Sequence, residues 1–144
     1  MKIEIRPAVE SDFEAIARIS RNDLGYDCTP ELVQKQLRHA LSTPSEQVFV
    51  AVCDGVTAGY IHAEDYDVLY FPTMKNILGL AVASDYRRLG LGTKLMQAVE
   101  NWARETGVYH IRLNSGMGRK GAHDFYRANG FTDEKEQMRF NKDL

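Results

Sequence analysis

The reading of this 144-residue chain turns on the stretch Leu80-Ala81-Val82-Ala83-Ser84-Asp85-Tyr86-Arg87-Arg88-Leu89-Gly90-Leu91-Gly92-Thr93. An apolar strand ends, a tight turn follows and a helix begins. The first backbone N–H groups of a helix have no internal partner, and the helix dipole adds partial positive charge at the same end. The two together make an anion site. Gly90 and Gly92 remove side chains that would obstruct a phosphate. Arg87 and Arg88 bring full positive charge to the same turn. The spacing suits a pyrophosphate.

Two common phosphate motifs fail on this stretch. Gly92-Thr93-Lys94 has no glycine five residues upstream, as a P-loop requires. The third glycine of a dinucleotide fingerprint would fall on Leu95.

Upstream, Lys2–Arg6 alternates as a strand and stops at Pro7. Ser11-Asp12-Phe13-Glu14 spells a capping box with Ser11 as N-cap. Thr29-Pro30 opens a second helix, with proline at its first position. Gln47–Cys53 reads as a buried strand, Asp54-Gly55 as a tight hairpin turn and Val56–Glu64 as the returning strand. Residues 65–75 read as an aromatic and acidic connection, and Asn76–Val82 as the next strand. Downstream, the stripe Leu91, Leu95, Ala98, Val99 and Trp102 marks a long amphipathic helix stopped by Gly107. A strand over 109–114, a glycine-rich loop, a short helix over 122–129 and a last strand over 134–140 complete the chain.

The order β-α-α-β-β-β-α-β-α-β predicts one α/β (α+β) domain over residues 1–144. Its mixed, mostly antiparallel twisted sheet has about six strands, with helices on both faces. The strand–helix–strand unit from Asn76 to Asn114 is a crossover, so its two strands should run parallel.

Composition narrows the function classes. A formal net charge of -2 and a pI of about 6.1 offer no basic field for nucleic acid. No apolar run approaches the roughly 18 residues of a membrane span. Cys28 and Cys53 lack metal-ligand spacing and suit free thiols in a reducing cytoplasm.

The pattern that fits the central turn is Arg-x-x-Gly-x-Gly, at Arg87, Gly90 and Gly92. A second segment, Ala122-His123-Asp124-Phe125-Tyr126-Arg127-Ala128-Asn129-Gly130-Phe131, matches A-x-x-F-Y-x-x-x-G-F. With both motifs in this order, the chain resembles the GNAT superfamily of N-acetyltransferases.

The resemblance implies the acyl-CoA N-acyltransferase fold, acetyl-CoA as co-substrate, no metal, an amine-bearing small molecule or protein as acceptor, and room for a homodimer. It implies that the pantetheine arm lies against the backbone of Leu80, Ala81 and Val82, with the pyrophosphate on Arg87, Arg88, Leu89, Gly90, Leu91, Gly92 and Thr93. Asn114 would bond the arm, or serve only as a strand-end cap. Phe125 and Tyr126 would flank the sulfur, with Tyr126 as the acid that protonates the leaving thiolate. Arg119 and Lys120 would reach the 3′-phosphate or stand as a solvated loop. Asp23, Tyr26 and Asp27 would face the acceptor.

Many family members carry a glutamate on the strand before the turn. Here that strand, Asn76–Val82, has no acid. Glu64 is then the first candidate base, with Asp65, His110 and a water chain as rivals. His62 reads as a structural strand residue. The missing acid also admits an alternative from another class, a non-catalytic acyl-CoA-binding regulatory module.

Overall fold

The computed structural model describes residues 1–144, which form two compact units, Met1–Leu113 and Asn114–Leu144. The first unit runs β1 (Ile3–Pro7), α1 (Phe13–Asp23), α2 (Pro30–Leu41), β2 (Glu46–Cys53), β3 (Val56–Val68), β4 (Phe71–Val82), α3 (Leu91–Glu105) and β5 (Ile111–Leu113). The sheet order is β1-β2-β3-β4-β5. Every pairing is antiparallel except β4 with β5, which is parallel as the crossover predicts. No helix is long and apolar enough to cross a membrane.

Alternation along the strands builds two cores. Val48 and Val50 of β2 and Tyr60 of β3 pack with Ile16 and Ile19 of α1 and Leu37 and Ala40 of α2. On the other face, Ile3, Ile5 and Phe49 look toward Ala98 and Trp102 of α3 across a cleft of about 580 Å³. The two faces need helices of their own because side chains alternate along a strand.

Local chemistry fixes the elements. Asp54 and Gly55 both take positive φ, +47° and +82°, as a two-residue hairpin of the right twist requires. The Thr29 hydroxyl accepts from the Leu32 N–H at 3.1 Å and caps α2. The capping box expected at Ser11 and Glu14 sits elsewhere. A short 3-10 turn, Glu10–Asp12, precedes α1, and the buried Asp12 carboxylate accepts from the Val9 N–H at 2.8 Å. Asp12 wins because Arg6 clamps it from β1 with two hydrogen bonds, at 2.8 and 3.0 Å, which Glu14 lacks.

The expected connection over 65–75 is a hairpin instead. β3 continues to Val68 and β4 starts at Phe71, leaving only Leu69 and Tyr70 as the tip. Its acids are cross-strand partners rather than loop solvation. Asp65 stands opposite Lys75 and bonds its ammonium, and Asp67 accepts from Thr73. Lys75 is 1% exposed, and its Nζ lies 3.5 Å from the centroid of the Trp102 ring.

In the second unit, α4 (Lys120–Ala128) is the one regular element. The strand expected over 134–140 does not form, so the sheet has five strands rather than six. A strand needs a ladder partner, and α4 cannot supply one. Glu134 instead takes a two-pronged bond from Arg127 of α4, at 2.7 and 2.8 Å.

Candidate active site

The candidate site begins with a break in the register of β4. Its partners on β3 step from His62↔Gly79 to Ala63↔Ile77, so Leu78 is one residue too many, a β-bulge. The backbone directions confirm the count. The Lys75 N–H donates to His110 on the β5 side, whereas the Ala83 N–H donates to Ala58 on the β3 side. Strict alternation would point residues 75 and 83 the same way. Beyond the bulge, Ala81 therefore faces β3, and Leu80 and Val82 turn their N–H and C=O groups to the open edge. Pairing with β5 ends at Ile77↔Leu113, so the freed edge begins where the ladder stops.

β4 runs directly into the phosphate-type turn. Arg88 and Gly90 take positive φ, +65° and +75°. Left-handed residues of this kind fold successive amides around an anion. No side chain caps α3 and no acid stands in its first turn, so its leading N–H groups keep their capacity to bind. Arg87, Arg88, Leu89 and Gly90 are exposed, Gly92 and Thr93 are half-buried, and Leu91 is buried as an anchor. Asp23, expected to face an acceptor, supports this turn. Its Oδ1 accepts from the Ser84 N–H at 3.1 Å and lies 3.5 Å from Arg87. The acid lands there because it ends α1 beside the turn.

A polar strip covers the α1/α2 face of the sheet next to the bulge. The Glu64 carboxylate accepts from the Asn76 amide at 2.8 Å. The Asn76 oxygen accepts from Arg112 at 2.6 Å, and Arg112 stacks 4.4 Å from the Tyr66 ring centroid. One strand over, His62 Nε2 meets Glu46 Oε1 at 2.7 Å, and His39 approaches the other oxygen of Glu46 at 3.7 Å. Two of the rival bases are occupied elsewhere. Asp65 serves Lys75 on the opposite face, and the His110 ring packs 5.2 Å from Phe71 near the hairpin tip. The Glu46–His62 pair was not visible in the sequence, because a bulge at Ala58 shifts the β2–β3 register by one. Counting outward from Asp54-Gly55 without that bulge sets His62 opposite Gln47 rather than Val48.

The second unit carries the remaining sequence candidates. Asn114 directly follows β5. Phe125 and Tyr126 share α4 with ring centroids 5.4 Å apart, and Phe131 closes on Tyr126 at 5.7 Å. Burial pushes the Tyr126 phenol above its ordinary pKa, and the charge of Arg119 offsets part of that rise. His123 bonds the Gly116 carbonyl oxygen at 2.9 Å, a structural contact. Arg119 and Lys120 are exposed where α4 begins. No group of three or more His, Cys, Asp or Glu is placed to hold a metal ion.

Comparisons with known proteins agree with this architecture. An aminoglycoside N(6')-acetyltransferase type 1 of Acinetobacter genomosp. 13 is 32% identical over 66 residues, covering 46% of this chain and 45% of that protein. The chain thus matches somewhat under half the length of such curated relatives. The solved structure of AAC(6')-Iy in complex with the bisubstrate analogue CoA-S-monomethyl-acetylneamine superposes with a TM-score of 0.88 at 18% identity, over 100% of both chains. The aminoglycoside acetyltransferase meta-AAC0020, from an uncultured soil metagenomic sample and in complex with sisomicin, gives 0.81 at 23% identity, over 99% of this chain and 96% of that one. The model of the acetyltransferase (GNAT) family matches residues 11–131, and the chain belongs to that family.

Proposed function

We propose that the chain is an N-acetyltransferase that moves the acetyl group of acetyl-CoA to a primary amine of a small molecule, with residues 1–144 working as one domain. The observation that carries this reading is the continuous run from the freed edge of β4 into the uncapped start of α3. That edge offers backbone groups at Leu80 and Val82 to an amide-bearing arm, and the turn from Arg87 to Thr93 offers amides and cations to a diphosphate. Relatives named as aminoglycoside acetyltransferases support a small, polycationic acceptor. Two free cysteines fit a reducing cytoplasm, where acetyl-CoA is at hand.

In this reading the neutral amine attacks the thioester carbon, and a backbone N–H near Leu80 steadies the oxyanion. Tyr126 gives its proton to the leaving thiolate, and Asn114 and Phe125 hold the arm. The carboxylate of Glu64 draws the cationic acceptor toward the polar strip.

The test is release of free thiol from acetyl-CoA in the presence of sisomicin, neamine, spermidine or lysine ethyl ester, with calorimetry of acetyl-CoA binding beside it. Turnover with at least one amine is expected. Binding of acetyl-CoA without turnover of any of them overturns the enzymatic reading in favour of an acyl-CoA-binding module. Failure to bind acetyl-CoA overturns both.

A further inference from the structure

On the α1/α2 face, His62 stands with its imidazole against the bulge. It pairs directly with Gly79, the residue after the surplus Leu78. A glycine there has no side chain to cover the imidazole. A Cβ at Gly79 would meet only the Tyr60 ring, at 3.6 and 3.7 Å. Leu80, whose N–H faces the open edge, is the residue next to Gly79 and pairs with Ile61, the residue before His62.

The ring is also held and polarised. Its Nε2 lies 2.7 Å from Glu46 Oε1. A carboxylate only accepts, so Nε2 carries a hydrogen, and in the neutral ring Nδ1 is the nitrogen with the lone pair. No hydrogen bond engages Nδ1. The Glu46 side chain is 16% exposed and that of His62 is 30%, so the pair is sheltered without being sealed. Other groups face the ring as follows. His39 comes from α2, through the second oxygen of Glu46. Tyr60 and Glu64 are its neighbours on β3, and Tyr60 is taken by the Ser20 hydroxyl of α1 at 2.8 Å. Glu64 is taken by Asn76 of β4, which in turn holds Arg112 of β5.

Resting on the acetyltransferase reading, we propose that His62, oriented by Glu46, is the base that takes a proton from the acceptor ammonium, directly or through one water. The balance is simple. R–NH3⁺ gives one proton to Nδ1 and becomes a neutral amine. Its nitrogen forms the C–N bond and the C–S bond breaks. The second proton of the nitrogen goes to the departing sulfur through the Tyr126 acid. The imidazolium then returns its proton to water. Glu46 stabilises that imidazolium, as a carboxylate does behind a catalytic histidine, and so acts as a positioning residue. The arrangement supplies the proton acceptor that the acid-free strand Asn76–Val82 lacks.

The test uses the full chain with acetyl-CoA and the panel of amines above. Calorimetry establishes first that each variant binds acetyl-CoA, which separates a failure of the parent reading from a failure of this one. In wild type, kcat/KM should rise with pH along an acidic limb, as a reaction that needs a general base requires. His62→Gln should lower kcat by about 100-fold or more, the worth of a general base. It should also abolish that acidic limb and leave acetyl-CoA affinity in place. Imidazole in the buffer should restore part of the rate to His62→Gly. Glu46→Gln should lower kcat by less and displace the limb. Proton NMR gives a readout free of turnover. The chain has four histidines, and the Cε1–H signal missing from His62→Gln should move when acetyl-CoA is added to wild type. An acidic limb that survives in His62→Gln but vanishes in Glu64→Gln overturns the proposal. So does a His62 signal indifferent to bound acetyl-CoA.

Discussion

Tyr126 shows how one environment sets a residue's chemistry. Its ring is wedged between Phe125 and Phe131. Loss of solvent raises the pKa of the phenol, with Arg119 pulling partly the other way. A phenol held above its ordinary value keeps its proton through neutral pH, so the proton is present when the thiolate departs. Tyr126→Phe should therefore lower kcat by about 100-fold and leave acetyl-CoA affinity, read by calorimetry, unchanged. In the proposed reaction the alkaline limb of the wild-type rate profile should lie above the ordinary tyrosine range, where this phenol ionises. An unaltered rate in the variant removes the residue from the acid role.

Among the elements, the β3–β4 hairpin carries the most unusual energetics. Lys75 is buried beneath Trp102 with Asp65 as its anionic partner, and Asp65 itself is 31% exposed. Removing the two partners should have unequal effects. Asp65→Ala strands an ammonium in the core and should cost about 3–5 kcal/mol. Lys75→Met fills the space with an apolar chain and frees Asp65 to face water, so it should be far milder. Urea unfolding of both variants checks this, and equal losses refute it. The hairpin also marks where sequence reading stopped. The strands on either side, the parallel crossover and the Asp54-Gly55 turn follow from short-range pattern. Asp65, Asp67 and Thr73 look like loop residues because each is polar by itself, and only the register reveals that they face partners. The bulge at Ala58 of β3 had the same effect on the site. It adds one residue to the count, which exchanges faces beyond it and hid the meeting of Glu46 with His62.

For the whole molecule, the tie between the first strand and the first helix governs response to acid. Burial works to raise the pKa of Asp12, but Arg6, the Val9 N–H and Thr57 overcome it, and the net shift is downward. A carboxylate depressed in the folded state adds stability at pH values above its unfolded pKa, about 3.9. That contribution fades as pH falls through the lower folded value. Asp12→Asn should lose about 2–3 kcal/mol at pH 7, as expected for hydrogen bonds to a charged group. Its stability should fall less steeply than wild type below pH 4, and thermal melts across pH 2–7 test both points. At this scale the sequence was informative about layout, since two short motifs and the order of elements led to the right family and sheet. It misled on the last strand. Met138 and Phe140 alternate as strand residues do, but alternation says nothing about whether a neighbour exists, and here they are 81% and 83% exposed.

The surplus residue at Leu78 has one more implication. A bulged strand bends, so the course of β4 beyond Ile77 is a matter of arithmetic, not of any particular side chain. Exchanging Leu78 for another residue leaves the tally intact. Deleting it restores the plain β3–β4 register through residue 77 and straightens the strand that feeds the phosphate-type turn. Natural variation at this point should consequently be free in spelling but fixed in letter count.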